Sequence, residues 1–188
     1  MKNLWEVWTR ALSDSYCDYI INESMKHSPI DASIGFDTNN RSDKKYRSST
    51  IRWLDVDRQN KDIADTLMYY IKKSNRNNFG FDVTSMNEIQ FTEYHASSNG
   101  KYDWHQDVFW ENQSPYDRKL SIIVQLSNPT NYEGAQFEFF NIPSPTPEQW
   151  SIRGSILIFP SFFDHRVLPI TKGTRMSLVS WIEGPKWR

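Results

Sequence analysis

Two stretches in the N-terminal third repeat their apolar positions at helical spacing. Tyr16, Cys17, Ile20, Ile21, Ser24 and Met25 form one stripe, with Ser13 placed to cap its start and Pro29 close to its end. Ile63, Leu67, Tyr70 and Ile71 form a second stripe between Asn60 and the polar run 74–78, which predicts another amphipathic helix. Between the helices, residues 31–49 are polar and charged with no apolar spacing. A long loop is expected there, either a mobile lid over a site or a disordered segment. From Glu88 onward the period shortens to two, and short apolar runs bounded by turn residues predict strands at 88–94, 102–108, 119–127, 135–140, 155–159, 166–170 and 174–183. Residues 112–117 and the proline-rich 142–147 are expected loops.

This order predicts a mainly β fold with flanking helices: a double-sheet jelly roll or a related barrel, with the two N-terminal helices on one outer face. A chain of 188 residues suits a single domain, able to bury roughly 70% of the surface its unfolded form exposes. Within 1–188, residues 1–87 are expected to form helical support and the lid loop, and 88–184 the jelly-roll core. Alternation also separates the two faces of each strand. Ile89 and Phe91 oppose Gln90, Thr92 and Tyr94, while Leu120, Ile122, Val124 and Leu126 oppose Ser121, Ile123 and Gln125. A polar inner face is poor core material but suits a cavity for a polar ligand.

The chemistry begins at Trp104-His105-Gln106-Asp107. Residues two apart on a strand project to the same face, so His105 and Asp107 can share an ion. A third ligand must come from elsewhere, and the chain has four histidines, at 27, 95, 105 and 165. His165 follows the buried-looking run Gly154 to Pro160 and a turn, which returns it to the mouth of the same barrel. Two histidines and one carboxylate leave open positions on iron(II) for a co-substrate and dioxygen. Ten residues on from His165 stands Arg175, in Gly173-Thr174-Arg175-Met176-Ser177-Leu178, sharing a strand face with Ser177, Val179 and Trp181. Its planar guanidinium can grip a carboxylate with two parallel hydrogen bonds, and a neighbouring hydroxyl can add a third.

With these residues in view, the chain resembles the 2-oxoglutarate and iron(II) dioxygenases of the prolyl and lysyl hydroxylase alpha-subunit type. The matching stretches are Tyr94 through Asp107, Tyr132-Glu133-Gly134-Ala135, and Gly154 through Trp181. The resemblance implies a double-stranded β-helix, or cupin-like jelly roll. His105, Asp107 and His165 would be the iron ligands, Arg175 the partner of the distal carboxylate of 2-oxoglutarate, and Tyr94 a further hydrogen-bond donor to it. Gln125, Ser177 and Trp181 are second-line candidates for the same pocket. The implied reaction is hydroxylation of an unactivated carbon with dioxygen, yielding succinate and carbon dioxide, and ascorbate joins the implied cofactors. The chain departs from the family pattern in carrying Gly134-Ala135 for a usual Gly-Gly pair. Collagen-type prolyl hydroxylases usually carry lysine where Arg175 stands. The target is therefore left between a peptidyl prolyl residue and a free amino acid or small metabolite.

Composition narrows this picture. Lys plus Arg is 22 against 23 for Asp plus Glu, so no global field favours nucleic acid. No apolar run approaches the roughly 18 residues a membrane helix needs. The single cysteine, Cys17, cannot form an internal disulfide, which points to the cytoplasm; a monomer or weak dimer is expected. Aromatic residues make up 15% of the chain, and Trp104, Phe109, Trp110 and Tyr116 flank the metal pair, either as a substrate platform or as a cap on the barrel mouth. A zinc hydrolase would also use two histidines and a carboxylate, but would leave Tyr94, Arg175 and Ser177 unexplained. A non-catalytic jelly-roll binding module predicts broken ligands, and all are present.

Overall fold

Period-two alternation in the C-terminal half produces two facing sheets. The computed structural model describes residues 1–32, 43–56 and 59–188. In chain order the elements are β1 (Glu6–Trp8), α1 (Asp14–Met25), β2 (Ile30–Asp31), β3 (Arg47–Ser48), β4 (Thr50–Asp55), α2 (Lys61–Ser74), β5 (Ser85–His95), β6 (Lys101–His105), β7 (Tyr116–Gln125), β8 (Tyr132–Gly134), β9 (Phe137–Phe139), α3 (Pro147–Trp150), β10 (Ile156–Pro160), β11 (His165–Val167) and β12 (Ile170–Pro185). The larger sheet runs β1-β10-β7-β12-β5-β4-β2, with β8 added to β12; the smaller runs β3-β6-β11-β9. This is a double-stranded β-helix, as expected.

Both helices pack on the outer face of the larger sheet. Ser13 caps α1 by accepting the Tyr16 backbone N–H at 3.2 Å. Asp62 in the first turn of α2 and Lys72 and Lys73 in its last turn complement the helix dipole. Cys17 and Ile20 from α1 and Ile63, Leu67 and Ile71 from α2 join the core with Ile89, Leu120, Ile122, Val124 and Leu178. Each such side chain stabilises the fold by about 1.5–3 kcal/mol. The opposite alternation set, including Tyr94 and Ile123, faces the smaller sheet and meets Phe137, Phe139, Phe159 and Val167. Burial raises the Cys17 thiol to about 11, so it serves as an inert core group.

Several expectations are corrected. α2 ends at Ser74, where the polar run begins, but that run is not irregular: it forms a π-helical turn, Asn75–Phe79, which stops at Gly80 with φ of 70°. The strand expected at 135–140 is shortened to β9, because Gly134 and Ala135 both take positive φ, 83° and 53°. These two residues turn the chain from β8, paired with β12, into β9, paired with β11. The loop expected at 31–49 has a strand at each end, with β2 pairing β4 and β3 pairing β6. Of the segment 31–49 read as a lid or a disordered loop, residues 33–42 lie outside the described residues. β4 carries a charge where alternation asks for an apolar side chain. Buried Arg52 is ion-paired there with buried Glu93 and donates from Nε to the His27 carbonyl at 3.1 Å.

Gly173 precedes the functional half of β12 and has φ of 71°; a Cβ there would lie 2.0 Å from the carbonyl oxygen of Asn131. Gly173→Ala adds a clash with backbone to left-handed strain of about 1–3 kcal/mol. A loss of more than about 2 kcal/mol in urea unfolding is expected, with an unchanged midpoint as the contrary result.

Candidate active site

His105 ends β6 and His165 opens β11, and the two residues are register partners across the smaller sheet. Their rings lie 4.2 Å apart, centroid to centroid. Asp107 is two residues beyond the end of β6, so it reaches the site from a bend rather than from a strand face. The Pro160-Ser161 turn holds this bend: the Ser161 carbonyl accepts the N–H groups of Asp107 at 2.9 Å and Val108 at 3.2 Å. Asp107 Oδ1 lies 3.9 Å from His105 Nε2, and Oδ2 lies 3.6 Å from His165 Nε2. Both separations are too long for hydrogen bonds and leave room for an ion between them. One ligand atom from each of the three side chains falls within 4.8 Å of the others, and this is the single such cluster among the described residues.

The outer contacts orient all three groups toward a common centre. His105 Nδ1 donates to the Asp103 carbonyl at 2.7 Å and His165 Nδ1 to the Phe163 carbonyl at 2.8 Å, which turns both Nε2 lone pairs inward. Ser121 Oγ donates to Asp107 Oδ2 at 2.6 Å. Burial works against the Asp107 charge, but His165, His105 and the Ser121 hydroxyl outweigh it and hold the carboxyl below its ordinary range. His105 is stacked on Tyr102 at 3.5 Å, and the Arg47 guanidinium lies 4.3 Å from the centroid of the same tyrosine ring. The donor set, its burial and these anchors fit a divalent metal with open coordination positions.

Burial first, and then the neighbouring His165, push His105 down to about 3. The unfolded chain takes up that proton near 6.5, so between those two values the unfolded state binds more protons than the folded one. The metal-free protein is therefore expected to hold this contribution above about pH 6.5 and to lose up to about 1.4 kcal/mol per pH unit below it. Urea unfolding at a series of pH values, compared with His105→Gln, checks this; equal slopes in the two proteins would contradict it.

A cavity of about 210 Å³ opens beside the cluster. Its lining includes Tyr94, Tyr102 and Arg47, together with Gln90, Trp53, Trp181, Arg118 and Glu88. Arg118 pairs with Glu88 at 3.0 Å and stacks on Trp181 at 3.8 Å. Strand faces read from sequence place Tyr94, Trp181 and Val179 in this wall. Arg175, Gln125 and Ser177 lie beyond the lining, on the same strand faces: Arg175 is paired with Tyr94 and Ser177 with Gln125. Arg175 is only 2% exposed, its Nε donates to Gln125 Oε1 at 3.0 Å, and its Nη2 is buried with no partner.

Trp104, Phe109, Trp110 and Tyr116 are not part of the cavity wall. Trp104 meets Phe140 and Arg166, Trp110 donates its indole N–H to Gln106 Oε1 at 2.9 Å, and Phe109 and Tyr116 are exposed. Asp103 contributes its backbone carbonyl, whereas His95 contacts Thr174 at 3.1 Å, away from the cluster. Sequence reasoning missed Arg47, Tyr102, Trp53, Glu88 and Arg118, and placed Ser121 on the inner face without its bond to Asp107. For Glu88, inward alternation with Gln90 offered a signal; Arg118 shares its period with Leu120 on the opposite face and lines the cavity across a register shift between β7 and β12, and for Arg47 and Trp53 there was no signal.

The fold and the site together define a double-stranded β-helix with a two-histidine, one-carboxylate centre. The chain belongs to the 2OG-Fe(II) oxygenase superfamily, whose sequence model matches residues 89–183. That membership implies iron(II), 2-oxoglutarate and dioxygen. Among curated relatives, a PKHD-type hydroxylase of Synechococcus sp. (strain CC9311) is 38% identical over 88 residues, 47% of this chain and 39% of the relative. Another, from Prochlorococcus marinus, is 29% identical over 139 residues, 73% of this chain and 62% of the relative. The chain thus spans less than two thirds of either. Among solved structures, a Pseudomonas putida prolyl-4-hydroxylase superposes with a TM-score of 0.70 at 18% identity, covering 97% of this chain and 94% of that one. A Trichoplax adhaerens prolyl hydroxylase, in complex with a hypoxia inducible factor peptide fragment, gives 0.73 at 17% identity, covering 96% and 83%. At these identities the likeness is one of fold. No helix among the described residues is long and apolar enough to cross a membrane.

Proposed function

We propose that this protein is an iron(II)- and 2-oxoglutarate-dependent hydroxylase acting on an unactivated carbon, with a peptidyl prolyl residue as the first candidate target. The observation that carries the reading is the unpartnered Nη2 of buried Arg175, beneath a cavity that also holds the His105, Asp107 and His165 cluster. A buried donor left without an acceptor costs about 1–3 kcal/mol, and a carboxylate removes that cost. The zinc hydrolase reading leaves this group unexplained.

Bound iron(II) and 2-oxoglutarate supply the oxidation of a C–H bond by dioxygen, with succinate and carbon dioxide as co-products. His105 Nε2, Asp107 and His165 Nε2 would hold the metal, their orientation set by the two backbone carbonyls and Ser121. Arg175 would fix the distal carboxylate of the co-substrate. The Tyr94 hydroxyl, raised above its usual range chiefly by burial, stays protonated and able to donate. The aromatic cavity walls exclude water and position the target carbon. Ascorbate enters this reading as an accessory reductant, and a cytosolic setting is supported by the reduced, buried thiol of Cys17.

The peptidyl target rests on fold likeness to prolyl hydroxylases and on the aromatic walls around Trp53 and Trp181; a free amino acid is the second candidate. Succinate release is measured with iron(II), 2-oxoglutarate and either proline-containing peptides or free amino acids, with and without ascorbate. Iron- and 2-oxoglutarate-dependent release, raised by a peptide, is expected. Release independent of both would overturn the hydroxylase reading, and stimulation by free amino acids alone would overturn the peptidyl one.

A further inference from the structure

Arg175, buried behind the cavity lining, does not stand alone. Its Nε–H is already taken by Gln125 Oε1 at 3.0 Å, and Gln125 is fully buried. The amide orientation follows from chemistry: a guanidinium only donates, so Gln125 must present its oxygen to Arg175 and its NH2 elsewhere. Gln125 Nε2 donates to Tyr132 Oη at 2.7 Å and, at 3.4 Å, to the Ser127 carbonyl. Both amide hydrogens are thereby engaged, so Gln125 has no donor left for a ligand. Tyr132 sits on β8, paired with Gly173, two residues before Arg175 on β12. Ser127 is tied to the same strand, its Oγ accepting the Met176 N–H at 2.7 Å.

We infer that Gln125 is a positioning residue, held by Tyr132, that fixes the guanidinium of Arg175 so that its unpartnered Nη2 edge faces the co-substrate carboxylate. The inference rests on the hydroxylase reading above. Gln125 removes the rotational freedom that would let the guanidinium swing its Nε edge toward the ligand. It also confines recognition to the end of the fork, where two parallel N–H groups match a carboxylate. The amide cannot flip, because its NH2 would then meet the Nε–H of Arg175 and its oxygen the Ser127 carbonyl; Tyr132 anchors the amide in the remaining orientation.

The test is a double-mutant cycle read by calorimetric binding of 2-oxoglutarate to the iron(II)-loaded protein under argon, which needs no turnover. Gln125→Met removes the acceptor at similar volume and is expected to weaken binding by about tenfold, the worth of one such contact. In the Arg175→Ala background the same change is expected to cost nothing. Tyr132→Phe is the milder arm, should the first variant fail to fold, with about threefold weakening and the same disappearance without Arg175. An unchanged affinity in either folded variant overturns the inference. So does an equal loss in both backgrounds, since that is what general damage to the fold would produce. If the unaltered protein binds no 2-oxoglutarate, the hydroxylase reading itself fails, a result distinct from either of these.

Discussion

Asp107→Ala is expected to lose iron(II) binding by more than about a hundredfold and turnover with it, because removing only an outer partner of a metal ligand already costs ten- to a hundredfold. The carboxylate supplies the negative charge of the cluster, lying 3.9 Å from one imidazole nitrogen and 3.6 Å from the other. Without it, two neutral imidazoles face an ion with no charge to offset it. The fold is expected to survive, since the bend is held by backbone N–H groups bound to the Ser161 carbonyl. Elemental analysis of the purified variant decides the matter. Unchanged metal content in a folded protein would remove Asp107 from the ligand set and contradict the three-residue centre.

Arg175→Ala is expected to raise the half-saturating concentration of 2-oxoglutarate roughly ten- to a hundredfold, from loss of a charge-assisted contact of about 1.5–3 kcal/mol. Metal content should stay at the unaltered level, because Arg175 lies beyond the cavity lining and hydrogen-bonds Gln125 rather than any of the three candidate ligands. That separation distinguishes the two variants: one loses the ion, the other the acid bound beside it. Half-saturation is measured by succinate release at saturating iron(II). A value equal to that of the unaltered protein would show that the buried guanidinium serves packing against Tyr94 and Trp150, 5.7 and 5.3 Å from their ring centroids, and not ligand binding.

Both helices, most strands and the inward faces of β5, β7 and β12 were legible in the sequence. Helical and extended periods are local properties, set by side-chain geometry over a few residues. The same locality explains the misses. β1 has three residues, too few to carry a period, and β4 hides its alternation because Arg52 occupies an inward position through its pairing with Glu93. The break at Gly134-Ala135 follows from left-handed backbone at an alanine, which composition alone does not announce.

By itself the sequence determined the residue types able to bind an ion and an acid, the strand faces that carry them, and hence the kind of site this chain can build. Tertiary structure decided which of those groups meet. It set His105 opposite His165 across two strands, stacked Tyr102 on one imidazole with Arg47 over that tyrosine, and left the surface aromatics around Trp110 outside the cavity. The physical reason is that contacts between elements distant along the chain depend on sheet register and turn geometry, and a single side chain's neighbours across a barrel leave no mark on the residues beside it.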